Sequence, residues 1–183
     1  VEGTETVHMV LANMSEALRW CREQVVDRMN RGMGESEILH DIDFPAELFE
    51  KPWMLPIYGD PTYIVRDLFR EENGWWDRNP TTLHPSAQAE AADAVLSAIG
   101  DPSAVVAKAE QLRDEGQVQL ALHVIDLVAL GDGDDPVVVQ ARVLKAELCR
   151  LRAKEVTAFV SKSLYESSAR LLEEGGTSWT GIN

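Results

Sequence analysis

The chain has 183 residues, 45% hydrophobic and 26% charged, the proportions of a folded, water-exposed protein with room for a real core. With 17 basic against 31 acidic residues the formal net charge is -14, which argues against nucleic acid or an anionic membrane as partner and reads as solvated helix faces. No apolar run approaches the roughly 20 residues needed to span a bilayer. Cys21 and Cys149 each fall inside a helical pattern and read as buried free thiols, so a reducing, cytoplasmic setting is the default. The chain opens at Val1 with neither an initiator Met nor a signal-like segment, so its natural N-terminus is expected to be absent.

From Glu5 to Arg31 the apolar positions Val7, Val10, Leu11, Met14, Leu18, Cys21, Val25 and Met29 recur at steps of three and four, which predicts one long amphipathic helix. Gly32 and Gly34 stop it. A short helix is predicted over Glu35–Ile42 with Ile38 and Leu39 inward, broken at Phe44-Pro45, and one more turn over Ala46–Phe49. Lys51–Pro56 reads as irregular, with Trp53, Met54 and Leu55 anchoring the loop to the core.

Asp60-Pro61 is a helix start, because the carboxylate can accept from free amides while proline at the first helical position sacrifices no hydrogen bond. Tyr63, Ile64, Val65, Leu68 and Phe69 supply the apolar face, and Asn73-Gly74 the stop. The same opening recurs at Asp101-Pro102 and Asp135-Pro136. Beyond Pro80 aromatics become scarce, and helices are predicted over 87–99, 102–115, 117–130, 136–150 and 154–173. Nowhere does β-branched or aromatic alternation persist, so no sheet is expected.

The fold class is therefore all-α, a helical bundle of stacked antiparallel hairpins. Leu112–Gly116 followed by Ala121, with Ala158 one pair later, makes the back half tetratricopeptide-like. Residues 1–175 read as one helical domain with a front helix at 5–31, an aromatic linker block at 53–80 and a bundle at 87–173, followed by a frayed tail or linker at 176–183.

Catalytic machinery is not expected in this chain. His8, His40, His84 and His123 are scattered without metal-ligand spacing, and His123 reads as a packed structural histidine. Ser161, Ser163, Ser167 and Ser168 crowd the last helix without a Gly-x-Ser-x-Gly elbow, and glycines stand singly rather than in a phosphate-cradling loop. The pairs Glu71-Glu72, Asp134-Asp135 and Glu173-Glu174 lie at helix ends or loops, where capping and solvation account for them. Trp75-Trp76 admits three readings: a core or loop anchor, a subunit interface, or the wall of a ligand pocket.

Tyr58-Gly59, Val65-Arg66-Asp67-Leu68-Phe69, the block Gly74-Trp75-Trp76-Asp77-Arg78-Asn79-Pro80 and Leu83 resemble the dimerisation domain of the metallo-β-lactamase-type alkyl sulfatases. Met29–Gly32, Glu37-Ile38 and Pro45–Leu48 upstream, and Gly100, Lys108-Ala109 and Gly116 downstream, continue the register. Trp76 and Arg78 stand where that family more usually has Phe or Tyr and Gly, and the segment 152–168 lacks the Trp-Arg-Asn block of true alkyl sulfatases.

The resemblance implies a non-catalytic helical domain that forms a homodimer and follows a metallo-β-lactamase-fold domain of the same polypeptide. Two zinc ions and a metal-activated water in that upstream domain would hydrolyse an alkyl sulfate ester, and a sterol-carrier-like domain follows in the larger enzymes. No zinc ligand maps onto this chain. The candidate interface or pocket-wall residues are Tyr58, Gly59, Trp75, Trp76, Asp77, Asn79 and Pro80, together with the 5–31 helix. Two rivals are a tetratricopeptide-like adaptor that binds a peptide in a concave groove, and a self-contained hydrolase working through carboxylates.

Overall fold

A computed structural model of the protein describes residues 3–131 and 133–176. Ten helices and no strand occur among the described residues: α1 (Thr4–Asn30), α2 (Glu35–Asp41), α3 (Ala46–Phe49), α4 (Pro61–Asn73), α5 (Pro80–Leu83), α6 (Gln88–Ile99), α7 (Pro102–Asp114), α8 (Val118–Ala129), α9 (Pro136–Glu155) and α10 (Phe159–Glu173). The fold is all-α. Packing divides the chain into two compact units, Val1–His84 and Pro85–Asn183. Apart from Gly176, the expected tail at 176–183 lies outside the described residues.

In the first unit, α1 lies against α2, α3 and α4, and α2 against α4. Val25, Ile38, Val65 and Phe69 are almost fully buried and form the core, with Ile42 at its edge. Trp20, Phe44 and Phe49 stack beside it, with ring centroids 5.0–5.9 Å apart. Polar contacts tie down the loop before α4: the Trp53 indole donates to Asn13 Oδ1 at 2.8 Å. Trp53 and Met54 are half-buried as the sequence suggests, whereas Leu55 is exposed.

The second unit is a run of helices packed mainly on their neighbours in the chain. α7 packs on α8, α8 on α9 and α9 on α10, while α6 lies against α8. Its core is built from small and branched side chains, among them Ala109, Ala121, Ile125, Ala141 and Leu148. The alanines let helix backbones approach closely, and Gly116, at φ 75, makes the tight turn between α7 and α8.

The three Asp-Pro starts behave as the sequence predicts. Asp60 accepts from the Thr62 amide at 2.9 Å, Asp101 from Ser103 and Ala104 at 2.9 and 3.1 Å, and Asp135 from Val137 at 3.0 Å. Each satisfies amide groups that have no partner within their own helix. Asn79-Pro80 is a fourth case, opening the short α5 by accepting from the Thr81 amide at 3.1 Å.

The boundary between the last two helices differs from the prediction. α9 runs on to Glu155, and α10 begins only at Phe159. Burial of Cys149 and Ala153 holds the extra turn of α9 to the bundle, and the Arg152 guanidinium sits 5.8 Å from the centre of the Tyr165 ring. Neither glycine nor proline marks the break; Val156 ends α9 simply by turning extended, at φ -85 and ψ 140.

Candidate pairing surface and aromatic block

The aromatic block does not form a single site. Tyr58-Gly59 precedes α4 and Trp75–Pro80 follows it, so the two parts are separated by a 13-residue helix, about 20 Å along its axis.

At the first end, Tyr58 is 72% exposed beside exposed Leu55 and Ile57. Gly59 borders an apolar groove of about 470 Å³ whose walls include Phe44, Phe49, Met54 and Ile64. A Cβ at Gly59 would touch the Tyr63 ring at 3.7 Å, an ordinary contact, so the position tolerates a side chain.

At the second end, most of the side-chain hydrogen bonds are made within the turn. Asn73 donates its side-chain amide to the Trp76 carbonyl, and the Trp76 indole donates to the Asn79 carbonyl at 2.9 Å. Asp77 accepts from the Asn79 amide at 2.9 Å and from the Thr82 hydroxyl. The Thr82 hydroxyl, then the Asn79 amide, hold the exposed Asp77 carboxyl below its ordinary pKa, because both bonds favour the charged form. Asn79 and Pro80 start α5. Trp76 is half-buried, and Trp75 projects with 69% of its surface exposed.

Arg78 fastens this turn to the rest of the unit. It is the one non-glycine residue at positive φ among the described residues, at 72°. Its guanidinium donates to Asn73 Oδ1 and to the Met29 carbonyl, both at 3.0 Å, and lies 5.7 Å from the centre of the Phe69 ring. These contacts bridge the end of α1 to the end of α4. Glycine alone adopts this conformation without steric cost, so the arginine's contacts must offset strain. Gly34 completes the fit, since a Cβ there would stand 3.0 Å from the Asp77 carbonyl oxygen. In the sequence Arg78 is marked only by standing where the resemblance above leads one to expect glycine.

The front helix carries a second surface. The sequence places Val7, Leu11, Met14 and Leu18 on one stripe with Cys21 and Val25, but the structure splits that stripe. Cys21 and Val25 are completely buried, whereas Val7, Leu11, Met14 and Leu18 are 39%, 59%, 42% and 52% exposed. The unit buries Cys21 and Val25 and leaves the earlier members of the stripe, through Leu18, exposed.

Titratable groups elsewhere are structural or solvated. Both cysteines are buried and free, and desolvation pushes the Cys21 thiol up to about 11. His123 is exposed rather than packed, 3.4 Å from the Gln119 side chain, because its position on α8 faces away from the buried line Val118–Ala121–Leu122–Ile125. It borders a cavity of about 270 Å³ of mixed lining, whose walls include the Lys145–Asp126 ion pair, at 2.6 Å. Among the described residues no group of three or more His, Cys, Asp or Glu could hold a metal ion, so these residues do not fit a zinc site. No helix among them is long and apolar enough to cross a membrane.

Helices on helices, with uncovered apolar side chains at one end of α1 and around the aromatic turns, define an all-helical association module. The chain belongs to the alkyl sulfatase dimerisation family, whose pattern residues 34–175 match. The linear primary-alkylsulfatase of a Pseudomonas sp. is 28% identical over 151 residues, covering 82% of this chain and 28% of the relative. The (R)-specific secondary-alkylsulfatase of Pseudomonas sp. is 24% identical over 96% of this chain and 26% of its own length. An alkyl/aryl-sulfatase of Saccharomyces cerevisiae is 22% identical over 94% and 26%. The solved structure of the stereoselective inverting sec-alkylsulfatase Pisa1 from Pseudomonas sp. shares the fold, with a TM-score of 0.87 at 23% identity over 99% of this chain and 28% of that one. The chain thus spans about a quarter of the length of the relatives it matches.

Proposed function

We propose that this chain is the dimerisation and scaffold domain of a zinc-dependent, alkyl-sulfatase-like hydrolase, and that it pairs two copies of its parent. The family match over 34–175 carries the reading. Two features support it: the uncovered stripe on α1, and relatives in which the matched segment is about a quarter of an alkylsulfatase. The parent reaction is hydrolysis of an alkyl sulfate ester at two zinc ions held by a metallo-β-lactamase-fold domain preceding this one.

Residues 1–175 act as one functional domain in this reading. The α1 helix, Tyr58-Gly59 and Trp75-Trp76 contribute to the pairing surface, while Asp77, Asn79 and Pro80 hold the second aromatic turn in shape. Large exposed aromatics suit the centre of a protein interface, where they bury much area at little rotamer cost.

Analytical ultracentrifugation of the full chain, over a concentration series, tests the pairing. A concentration-dependent dimer is expected, and a strict monomer at the highest concentrations overturns it. For the parent, expression with the preceding coding sequence should yield bound zinc and sulfate release from a medium-chain alkyl sulfate. A parent without zinc or sulfate release refutes the assigned reaction while leaving the pairing role standing.

A further inference from the structure

Neither pairing nor sulfate-ester hydrolysis accounts for the groove beside Gly59. At about 470 Å³ it falls within the size range of small-molecule sites. It is walled by residues around α3, the loop before α4 and the first turn of α4. Phe44, Phe49 and Tyr63 bring three aromatic rings to it, and Met54 and Ile64 add aliphatic surface. Trp20, which does not line the groove, packs against the Phe44 and Phe49 rings with centroids 5.9 and 5.6 Å away. Those two walls are therefore held in place before any ligand arrives, which lowers the ordering cost of binding.

Charge gives the sign of the occupant. The charged side chains on the walls are Glu50 and Asp60, and no lysine, arginine or histidine among the described residues lines the groove. Asp60 Oδ1 accepts from the Thr62 amide at 2.9 Å and from the Thr62 hydroxyl at 2.6 Å, bonds that orient the carboxylate without neutralising it. Among the described residues no basic side chain forms an ion pair with either carboxylate. Aromatic rings present a negative face that attracts organic cations, so the rings and the carboxylates favour the same charge. The apolar walls require that cation to carry an apolar body, which a hydrated metal ion lacks. An alkyl sulfate would bring its anionic head against the two carboxylates.

We propose that this groove binds a small organic cation of the alkylammonium class. The alkyl tail lies against Phe44, Phe49, Met54 and Ile64, and the ammonium head sits toward Glu50 and Asp60. The site is independent of the dimerisation reading and of the parent reaction.

Isothermal titration calorimetry of the full chain with butyl-, hexyl- and octyltrimethylammonium, kept below micelle-forming concentrations, tests the proposal; octyl sulfate and 1-octanol serve for comparison. Affinity should rise about four-fold for each added methylene. Octyltrimethylammonium should bind about ten-fold or more tightly than octyl sulfate. No binding of the cations, or equal affinity for the sulfate, overturns the proposal. The double variant Glu50→Gln/Asp60→Asn removes both charges while asparagine keeps the α4 cap, so its circular dichroism should be unchanged. It should lose the preference for the cation and bind octanol as wild type does. The whole chain carries a net charge of -14, so a preference that survives in this variant comes from general surface attraction and overturns the proposal. Gly59→Leu sets a side chain against the Tyr63 ring and should weaken every probe about ten-fold or more; unchanged affinities place the binding elsewhere and overturn it. Titrations over a range of chain concentrations separate the site from the pairing surface. Affinity independent of concentration supports a ligand site, whereas a groove that closes to the probe as chains associate is an interface, which overturns the proposal and leaves the dimerisation reading standing.

Discussion

Arg78 offers the sharpest test of how the aromatic turn is held, because its backbone and side chain act in opposite directions. A non-glycine residue in the left-handed region costs about 1–2 kcal/mol. Two hydrogen bonds from a charged donor at 3.0 Å, each worth about 1.5 kcal/mol at the low end, and a ring contact of about 0.5 kcal/mol oppose that cost. Arg78→Ala removes the contacts and keeps the strain, so it should destabilise the first unit by about 3 kcal/mol. Arg78→Gly removes the same contacts but relieves the strain, less about 0.5–1 kcal/mol for the freer unfolded chain. It should therefore be more stable than Arg78→Ala by about 0.5–1 kcal/mol, yet less stable than wild type.

Urea unfolding followed by tryptophan emission suits the purpose, since Trp20, Trp53, Trp75 and Trp76 all lie in that unit. With a urea slope of about 1 kcal/mol per molar, the midpoints should fall in the order wild type, glycine, alanine, the last two separated by roughly 0.5–1 M. If the alanine variant equals or exceeds the glycine variant, the strain argument is wrong. If both match wild type, the contacts from Arg78 contribute nothing.

Gly34→Ala should lower the same midpoint by about 1–3 kcal/mol equivalent, because its Cβ meets the Asp77 carbonyl at 3.0 Å and the turn must shift. Asp101→Ala removes the cap on two amides of α7 and should cost about 1 kcal/mol, read as a loss of thermal stability in the second unit. The Asp77 pKa is lowered by folding, so its contribution is present above the ordinary carboxylate range of about 3.9 and is lost as pH falls through the lower folded value. Acid titration of wild type and Asp77→Asn should show this loss only in wild type; identical profiles would remove Asp77 from the account. The Cys21 thiol, raised to about 11, should resist a thiol reagent at pH 8 in the folded protein and react fully in denaturant. Rapid labelling of the native chain at Cys21 would contradict its burial.

Sequence alone determined the kind of structure. The 3.6-residue periodicity, the Asp-Pro starts at 60, 101 and 135, and the glycines after α4, α6 and α7 are local signals, and helix ends are governed by local hydrogen bonds. The family was legible as well, because Gly74–Pro80 is a contiguous turn whose residues mostly bond to one another.

Where tertiary contacts decide, the sequence was silent or misleading. α9 outlasts its predicted end because Ala153 finds burial in the bundle, which no neighbouring residue announces. Tyr58 and Trp75, close in composition, stand at opposite ends of α4 because the intervening 13 residues are helical rather than folded back. Arg78 looks like an ordinary surface cation until the fold brings it to the Met29 carbonyl, 49 positions away. The α1 stripe shows the same limit most plainly. Periodicity marks which side chains share a face, but only the packing of α2, α3 and α4 decides which part of that face is covered. The part left open, Val7 through Leu18, is apolar surface that the sequence pattern alone would have buried.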